Sequence, residues 1–339
     1  MKSVSVVMAT LNAGEILSKA LRSIRNQYYD QEKIEIIVAD GGSTDKTLKY
    51  CAKFGARVIP ENTGSPEAAK SVALQIAKNE LILEIDCDNI LPNRNWLATM
   101  VASLEKEPKA TACYTWRYHY SQRDKILNRY FSLIGANDPV ALFLGRADRQ
   151  SYLEEEWKIL GKANDKGSYF LVKHDLNNMP TLGANGFLIK RKILNMAQVD
   201  EKHFFHIDVN WDLINLGKTD YVVVKNDIIH DSGEGVFEFF AKRKRYMEDL
   251  YLRDLSNRRY LLYDTTKDKK RIIIFCLYAA TFIGPLFLSI RGYLKRKDVA
   301  WFLHPLVCFA FLLIYGLTII NWQSWHYLGI ILRKLKLIT

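Results

Sequence analysis

At 339 residues, the chain is long enough for one large domain with an appendage, or for two modest domains. With 49% hydrophobic and 25% charged residues it is a folding composition, not a disordered one. A net charge of +11 would suit a nucleic-acid binder, but from Lys267 onward eleven Lys/Arg face only Asp268 and Asp298. Nine of the eleven net charges therefore lie in a greasy tail, the body is nearly neutral, and no nucleic-acid motif accompanies them, so that class is set aside.

Five scattered cysteines (Cys51, Cys87, Cys113, Cys276, Cys308) without a C-x-x-C pair suit a reducing compartment and offer no zinc site. The opening MKSVSVVMATLNAG has too short an apolar run for a signal-peptide core. The body is expected to stay in the cytosol.

Val4 to Ala9 reads as a β-rich apolar strand, and Thr10-Leu11-Asn12-Ala13-Gly14 as the loop after it. Glu15 to Asn26 carries apolar residues at helical spacing. Ile34 to Ala39 is a second buried strand ending in Asp40-Gly41-Gly42-Ser43-Thr44-Asp45, where Ser43 or Thr44 can cap the next helix. Val58-Ile59 is a short third strand and Pro66 to Lys78 a helix. The run Leu81-Ile82-Leu83-Glu84-Ile85-Asp86-Cys87-Asp88 follows, then a helix around Trp96 to Leu104.

If that run is one strand, Asp86 and Asp88 point to the same side, and two carboxylates so placed need a positive partner between them. A divalent metal, the phosphates it carries, or an Arg or Lys would serve. Strands apolar along their length, alternating with helices, predict an α/β fold with a mainly parallel sheet covered on both faces. Ligands of such sheets bind beyond the carboxyl ends of the strands, here Thr10-Leu11-Asn12, Asp40-Gly41-Gly42 and Asp86-Cys87-Asp88.

Residues 114 to 180 give no clear pattern beyond an aromatic run at Tyr114 to Tyr120 and a helical look at Glu154 to Trp157. Order returns at Thr181-Leu182-Gly183-Ala184-Asn185-Gly186, a turn into strand Phe187 to Ile189. Tyr221 to Val224 is another strand, leading to His230. In the tail, Val236 to Leu255 mixes aromatics with Lys/Arg as an interfacial helix does. Ile272 to Ile290 and Val299 to Ile320 are each apolar enough to span a bilayer. Trp322, Trp325 and Tyr327, then Arg333 to Lys336, resemble an aromatic belt with a basic end. A spanning hairpin is favoured over a re-entrant one kinked at Pro285 and Pro305, although it would put the basic RGYLKRKD loop outside.

Three motifs in order carry a resemblance: Val6 to Asn12, the stretch Ile36-Ile37-Val38-Ala39-Asp40-Gly41-Gly42-Ser43-Thr44-Asp45-Lys46-Thr47, and Asp86-Cys87-Asp88. The sequence resembles membrane-attached family 2 glycosyltransferases of the A-type (GT-A) fold, similar to polyprenyl-phosphate sugar transferases, over roughly residues 3 to 120 and 181 to 250. The resemblance implies a metal-dependent, inverting hexosyltransferase. Asp86 and Asp88 would support Mn2+ or Mg2+ on the donor diphosphate, Asp88 more directly, with His230 as a further ligand. Asp40 would receive the nucleoside of a UDP- or GDP-linked sugar, with Thr10 and Asn12 lining the pocket. Lys70-Ser71 stands where the family has Arg-Asn, a departure at the diphosphate. Asp208 would be the base, with His206 in place of the usual acidic neighbour and Asp212 as the rival base. Gly183, Ala184 and Asn185 would floor the donor and acceptor pocket, with Trp211 nearby.

The processive synthases' Gln-x-x-Arg-Trp is absent; Lys242-Arg243-Lys244-Arg245-Tyr246 stands there, which implies addition of a single sugar. Beside a bilayer, Lys242, Arg243 and Arg245 would hold a lipid phosphate. The expected acceptor is a polyprenyl phosphate or a sugar on a polyprenyl diphosphate, at the cytosolic face of the cell membrane. The expected layout is a catalytic domain over residues 1–235 with an acceptor-side insertion at 114–180, interfacial helices at 236–271, membrane helices at 272–321, and a basic end at 322–339. The alternatives are a sugar-phosphate nucleotidyltransferase, a catalytically silent nucleotide-sugar-binding protein, and a zinc cluster of His203, His206 and His230.

Overall fold

A strand reading Val-Ser-Val-Val-Met-Ala-Thr has apolar side chains on both faces and belongs in the middle of a covered sheet. In the computed structural model this strand, β1 (Val4–Thr10), is buried at every position but one. It has parallel neighbours on both edges, β2 (Ile34–Asp40) on one and β4 (Leu81–Glu84) on the other, and β3 (Arg57–Pro60) extends the parallel set beyond β2. Residues 62–63, 201–203, 233–234, 254, 265 and 335–339 are not described, and residue 250 and residues 324–334 are described by backbone alone.

The later strands are β5 (Asn89–Ile90), β6 (Ala112–Tyr118), β7 (Lys162–Asp165), β8 (Tyr169–Lys173), β9 (Phe187–Lys190) and β10 (Asp220–His230). The sheet runs β3-β2-β1-β4-β9-β6-β10-β8-β7. Its first half is parallel; β9 enters antiparallel between β4 and β6, and β10 lies parallel to β6. Helices α1 (Gly14–Arg25), α2 (Thr47–Lys53), α3 (Pro66–Ile76), α4 (Trp96–Glu105) and α5 (Ile126–Ile134) belong to this unit. So do α7 (Arg191–Leu194) and α8 (His206–Asn215), whereas α6 (Pro139–Phe143) does not. One face of the sheet packs on α1 and α4, through Leu17, Leu21 and Ile24 from one and Trp96, Leu97, Met100 and Leu104 from the other. Trp96 is wholly buried, and its indole N–H donates to the Asp227 carbonyl at 2.7 Å, tying α4 to β10.

Three local expectations differ from the structure. The strand before the two aspartates stops at Glu84, because Asn89 reverses the chain: its Oδ1 accepts the Asp86 N–H at 2.9 Å, and its own N–H bonds the Asp86 carbonyl at 3.0 Å. Neither Ser43 nor Thr44 caps α2; both are bonded to Asn12 and the start of the helix takes Asp45 Oδ1 on Thr47 N. Glu154 to Trp157 is not a helix but an irregular, bent segment.

Contacts divide the chain into Met1–Asn137 with Gly145–Gly233, and Asp138–Leu144 with Glu234–Thr339. The segment around α6, expected inside the catalytic insertion, thus belongs with the tail. Within that second unit Asp138 caps α6 through the N–H groups of Val140 and Ala141 and also accepts from Tyr263 (2.5 Å) and Tyr315 (2.7 Å). The tail continues as α9 (Val236–Tyr246), a π-helical turn at Met247–Arg253, α10 (Lys269–Thr281), α11 (Ile283–Lys295) and α12 (His304–Lys334). Val299–Gln323 is long and apolar enough to cross a membrane; α10 and α11 are bent by 76°, a broken span or a re-entrant loop. The break falls at Phe282, which sits at φ 60°, three residues before Pro285. Of the basic run in α9, Arg243 packs its guanidinium over the Phe239 and Tyr246 rings, Lys242 lies over Tyr246, and Arg245 is exposed. The aromatic belt and basic end beyond residue 323 lie outside the described side chains.

Two stability predictions follow from this packing. Trp96→Ala should cost about 3–5 kcal/mol in denaturant unfolding, through the cavity and the orphaned carbonyl. The second concerns Glu84, 2% exposed, with its Oε2 buried and unpartnered. Burial pushes its carboxyl up to about 8, against the pull of Lys70 and with the push of Glu67 and Asp86. Between the ordinary value of 4.5 and about 8, the folded chain holds a proton that the unfolded chain has lost, so this group's contribution to stability falls as pH rises through that window. Glu84→Gln should therefore match the parent near about pH 4 and exceed it at about pH 8.5 in unfolding midpoint. Equal midpoints at the higher pH would show that Glu84 ionises freely.

Candidate active site

The carboxyl ends of β1, β2 and β4 meet as the parallel topology requires. Asp40 ends β2, is 5% exposed, and folds its own loop: it accepts from the N–H groups of Gly42 (3.1 Å) and Ser43 (2.8 Å) and from the Ser43 hydroxyl (2.5 Å). Ser43 in turn accepts the Asn12 N–H at 2.8 Å, and Asn12 Oδ1 takes the Thr44 N–H at 2.8 Å. Asn12 bridges the two loops from a left-handed backbone, φ 49°. Thr10, opposite Asp40 in the ladder, keeps a buried hydroxyl without a hydrogen-bond partner.

Because Asn89 turns the chain, the two aspartates part company. Asp86 Oδ1 lies 2.7 Å from Lys70 Nζ, brought in by α3, whose start is fixed by the Ser65 cap and Pro66. Burial disfavours both charges, but each partner more than reverses it: Asp86 is held down at about 2, and Lys70 is raised. Asp88 goes the other way, its Oδ2 lying 3.3 Å from His230 Nε2. β10 is long enough, at 11 residues with a bulge between Val224 and Asp227, to overrun β6 and pair with β5, which sets His230 opposite Asn89.

Residues 114 to 180, which show no clear sequence pattern, hold this corner in place. Asn89, fully buried, donates to Asp88 Oδ1 (3.3 Å) and to Asn185 Oδ1 (3.1 Å). Asn185 donates to the Tyr118 hydroxyl (3.0 Å), which donates to Asp148 (3.0 Å). Arg149, 2% exposed, pairs with Asp148 and donates to the carbonyls of Asn185 (2.7 Å) and Ala184 (3.3 Å). Its guanidinium lies 5.4 Å from the ring centres of both Tyr114 and Tyr118. Tyr118 also packs on the His230 ring, and Asn137 bonds His230 Nδ1 at 3.1 Å. The turn at Gly183 to Gly186 is thus clamped with Asn185 at φ 56°.

α8 closes the far side. A Cβ at Gly183 would sit 2.5 Å from the His206 carbonyl, so only glycine lets the turn pack on this helix. His206 Nδ1 lies 3.3 Å from both carboxylate oxygens of Glu67 on α3. Asp208 is 1% exposed, and Trp211 is partly exposed farther along the helix. His206 and His230 take different partners, and His203 lies outside the described residues, so the zinc cluster gains no support. Among the described residues no group of three His, Cys, Asp or Glu is arranged to hold a metal. The facing carboxylate and imidazole of Asp88 and His230 do fit a divalent cation that takes its remaining ligands from a diphosphate. Glu67, Asn89, Tyr118 and Arg149 are the participants that sequence reading missed.

Known glycosyltransferases resemble this chain in sequence and in fold. The family model "Glycosyl transferase family 2" matches residues 5–182. The glycosyltransferase GlyG of Streptococcus pneumoniae is 29% identical over 181 residues, which cover 52% of this chain and 58% of that protein. The poly(ribitol-phosphate) beta-N-acetylglucosaminyltransferase TarP of Staphylococcus aureus is 32% identical over 100 residues, 28% of this chain and 31% of that protein. The chain spans little more than half the length of the first of these relatives and under a third of the second. The mannosyltransferase PcManGT from Pyrobaculum calidifontis, solved with GDP-Man and Mn2+, aligns over 93% of this chain and 86% of its own at 14% identity and a TM-score of 0.52, which shows a shared fold. With the family model matching more than half of its length, the chain belongs to glycosyl transferase family 2.

Proposed function

We propose that the protein transfers one hexose, with inversion, from a UDP- or GDP-linked sugar to an acceptor at the cytosolic face of a membrane. The observation that carries this reading is the Asp88–His230 pair at the mouth of the parallel strands, flanked by the Thr10, Asn12 and Asp40 loops. Asp40 and Asn12 shape the nucleoside pocket. Asp88 and His230 would hold Mn2+ or Mg2+, and Asp86, paired with Lys70, would keep that lysine oriented for the diphosphate. The ion, when bound, supplies Lewis-acid stabilisation of the charge that builds on the leaving diphosphate. Arg149 and Asn185 keep the pocket floor rigid, so that little reorganisation is left for the transition state.

Membrane attachment is supported by the tail. Ile273, Leu277, Ile283, Phe287 and Leu294 are exposed on α10 and α11, with Lys269, Lys270 and Arg271 at one end and Lys295, Arg296 and Lys297 at the other. A polyprenyl-linked acceptor suits such a tail, and the exposed Arg245 is the better placed of Lys242, Arg243 and Arg245 for its phosphate, since Lys242 and Arg243 both pack on aromatic rings. The names of TarP and of the Bacillus spizizenii poly(ribitol-phosphate) beta-glucosyltransferase add a polyol phosphate as a second acceptor class. Family membership sets the nucleotidyltransferase alternative aside.

The test is nucleotide release in detergent from a panel of UDP- and GDP-sugars, with and without Mn2+ and acceptor. Asp88→Asn should lower turnover by on the order of 10²-fold or more with an unchanged unfolding midpoint. Normal turnover in that variant, or no release from any donor by the parent, would refute the reading; the latter would leave the silent binding protein.

A further inference from the structure

The start of α8 holds a second pair that the donor site does not use. His206 is fixed on every side: its ring stacks on Phe205 (4.6 Å between centres, 24° between planes), and its carbonyl takes the Asn210 side-chain N–H at 2.9 Å and abuts Gly183. Nδ1 faces both oxygens of Glu67, and the two side chains are only 17% and 14% exposed. Burial opposes ionisation of Glu67, but His206 and Lys70 outweigh it and keep that carboxyl below its ordinary range. An anion facing Nδ1 draws the ring proton to that nitrogen and leaves Nε2 with its lone pair.

The sequence expectation put the base at Asp208. Two residues along a helix differ by about 200° in direction, so Asp208 and His206 cannot serve the same spot. Asp208 is buried to 1% exposure, and Asp212 lies one turn on from Asp208, with its carboxylate on Gln198 N. His206 instead lies within electrostatic reach of Asp86, beside the donor corner.

Resting on the transferase reading above, we propose that His206, oriented by Glu67, accepts the proton of the incoming nucleophile, and that this nucleophile is a sugar or polyol hydroxyl. The hydroxyl oxygen forms its bond to the anomeric carbon as the bond from that carbon to the diphosphate oxygen breaks. The diphosphate leaves with the electron pair, and the hydroxyl proton passes to Nε2, giving an imidazolium paired with Glu67. A phosphate acceptor is already ionised at neutral pH and needs no such pair. Of the acceptors considered above, a sugar on a polyprenyl diphosphate or a polyol phosphate therefore fits, and a bare polyprenyl phosphate does not. Among the described residues, the charged groups that face His206 are Glu67 on α3 and Asp86 in the turn after β4, with Lys70 between them; Asp208 and Asp212, on its own helix, point elsewhere.

The experiment uses the full chain in detergent with the donor found by the release screen. Polyprenyl-diphosphate-linked sugar, poly(ribitol phosphate) and polyprenyl phosphate serve as separate acceptors, and nucleotide affinity is measured by calorimetry. His206→Gln should lose about 10²–10⁴-fold in kcat while nucleotide Kd stays within about threefold. Activity of the parent should fall as pH is lowered through the imidazole range. Glu67→Gln should move that fall to lower pH, and His206→Asp should recover part of kcat with the fall displaced to carboxylate pH. Retention of activity in His206→Gln, or a parent profile that Glu67→Gln leaves in place, overturns the assignment and returns the role to Asp208. Efficient transfer to polyprenyl phosphate overturns the hydroxyl acceptor. A parent that binds no nucleotide and releases none refutes the transferase reading instead.

Discussion

The active corner depends on the side chain of Asn89. It is fully buried, and each of its polar atoms is committed: Oδ1 to the Asp86 N–H, Nδ2 to Asp88 and to Asn185. Leaving one such group unpaired costs about 1–3 kcal/mol, so the turn it closes has little freedom to open. That turn ends β4 at Glu84, sends Asp86 toward α3 and Asp88 toward β10, and starts the two-residue strand that pairs with Ile229 and His230. An aspartate at this position would lack the amide donor and would set a third carboxylate beside Asp86 and Asp88.

The constraint propagates outward through polar contacts of long sequence separation. From Asn89 the path runs through Asn185, Tyr118 and Asp148 to Arg149, which returns to the carbonyls of the same turn that carries Asn185. A buried arginine is costly unless its donors are matched. Here Asp148, Thr115 and the two turn carbonyls supply acceptors, while Tyr114 and Tyr118 cover the guanidinium faces. The ring that packs on His230 thus belongs to the network that fixes the pocket floor, and displacing Arg149 would loosen both.

The elements legible in the sequence are those whose signal is local. β1, β2 and α1 follow from apolar runs and periodicity, and the order of the strand ends with their polar residues follows from parallel topology. What failed was of another kind. A continuous strand through Asp88 looked sound because Asn89 gives no sign, in sequence, of turning inward to bond Asp86. Tyr118, Asp148 and Arg149 find partners 30 to 67 residues away, beyond any periodicity. Glu67 sits just after Pro66 and reads as an ordinary acidic residue in the first turn of a helix. The tail's second apolar segment was visible as a span, but the first is broken at Phe282, a left-handed backbone position that apolar composition does not announce.

Between the turn after β4 and α8 lies a row of ionisable groups: His206, Glu67, Lys70 and Asp86, with Glu84 on β4 close to Lys70. Lys70 supplies its ammonium to Asp86, Glu67 and Glu84 alike, which is why it stays charged despite burial, whereas burial outweighs its pull on Glu84 and raises that carboxyl. α3 carries both Glu67 and Lys70 one helical turn apart, so the partners of the His206 imidazole and of the Asp86 carboxylate are set by the same rigid element. An arginine at position 70 would spread its charge over a fork of five donors. A lysine concentrates it on one nitrogen, leaving the Glu67 carboxylate turned to the ring of His206. Glu67 is thereby left to hold the imidazole through both of its oxygens while Lys70, on the same helix, holds Asp86.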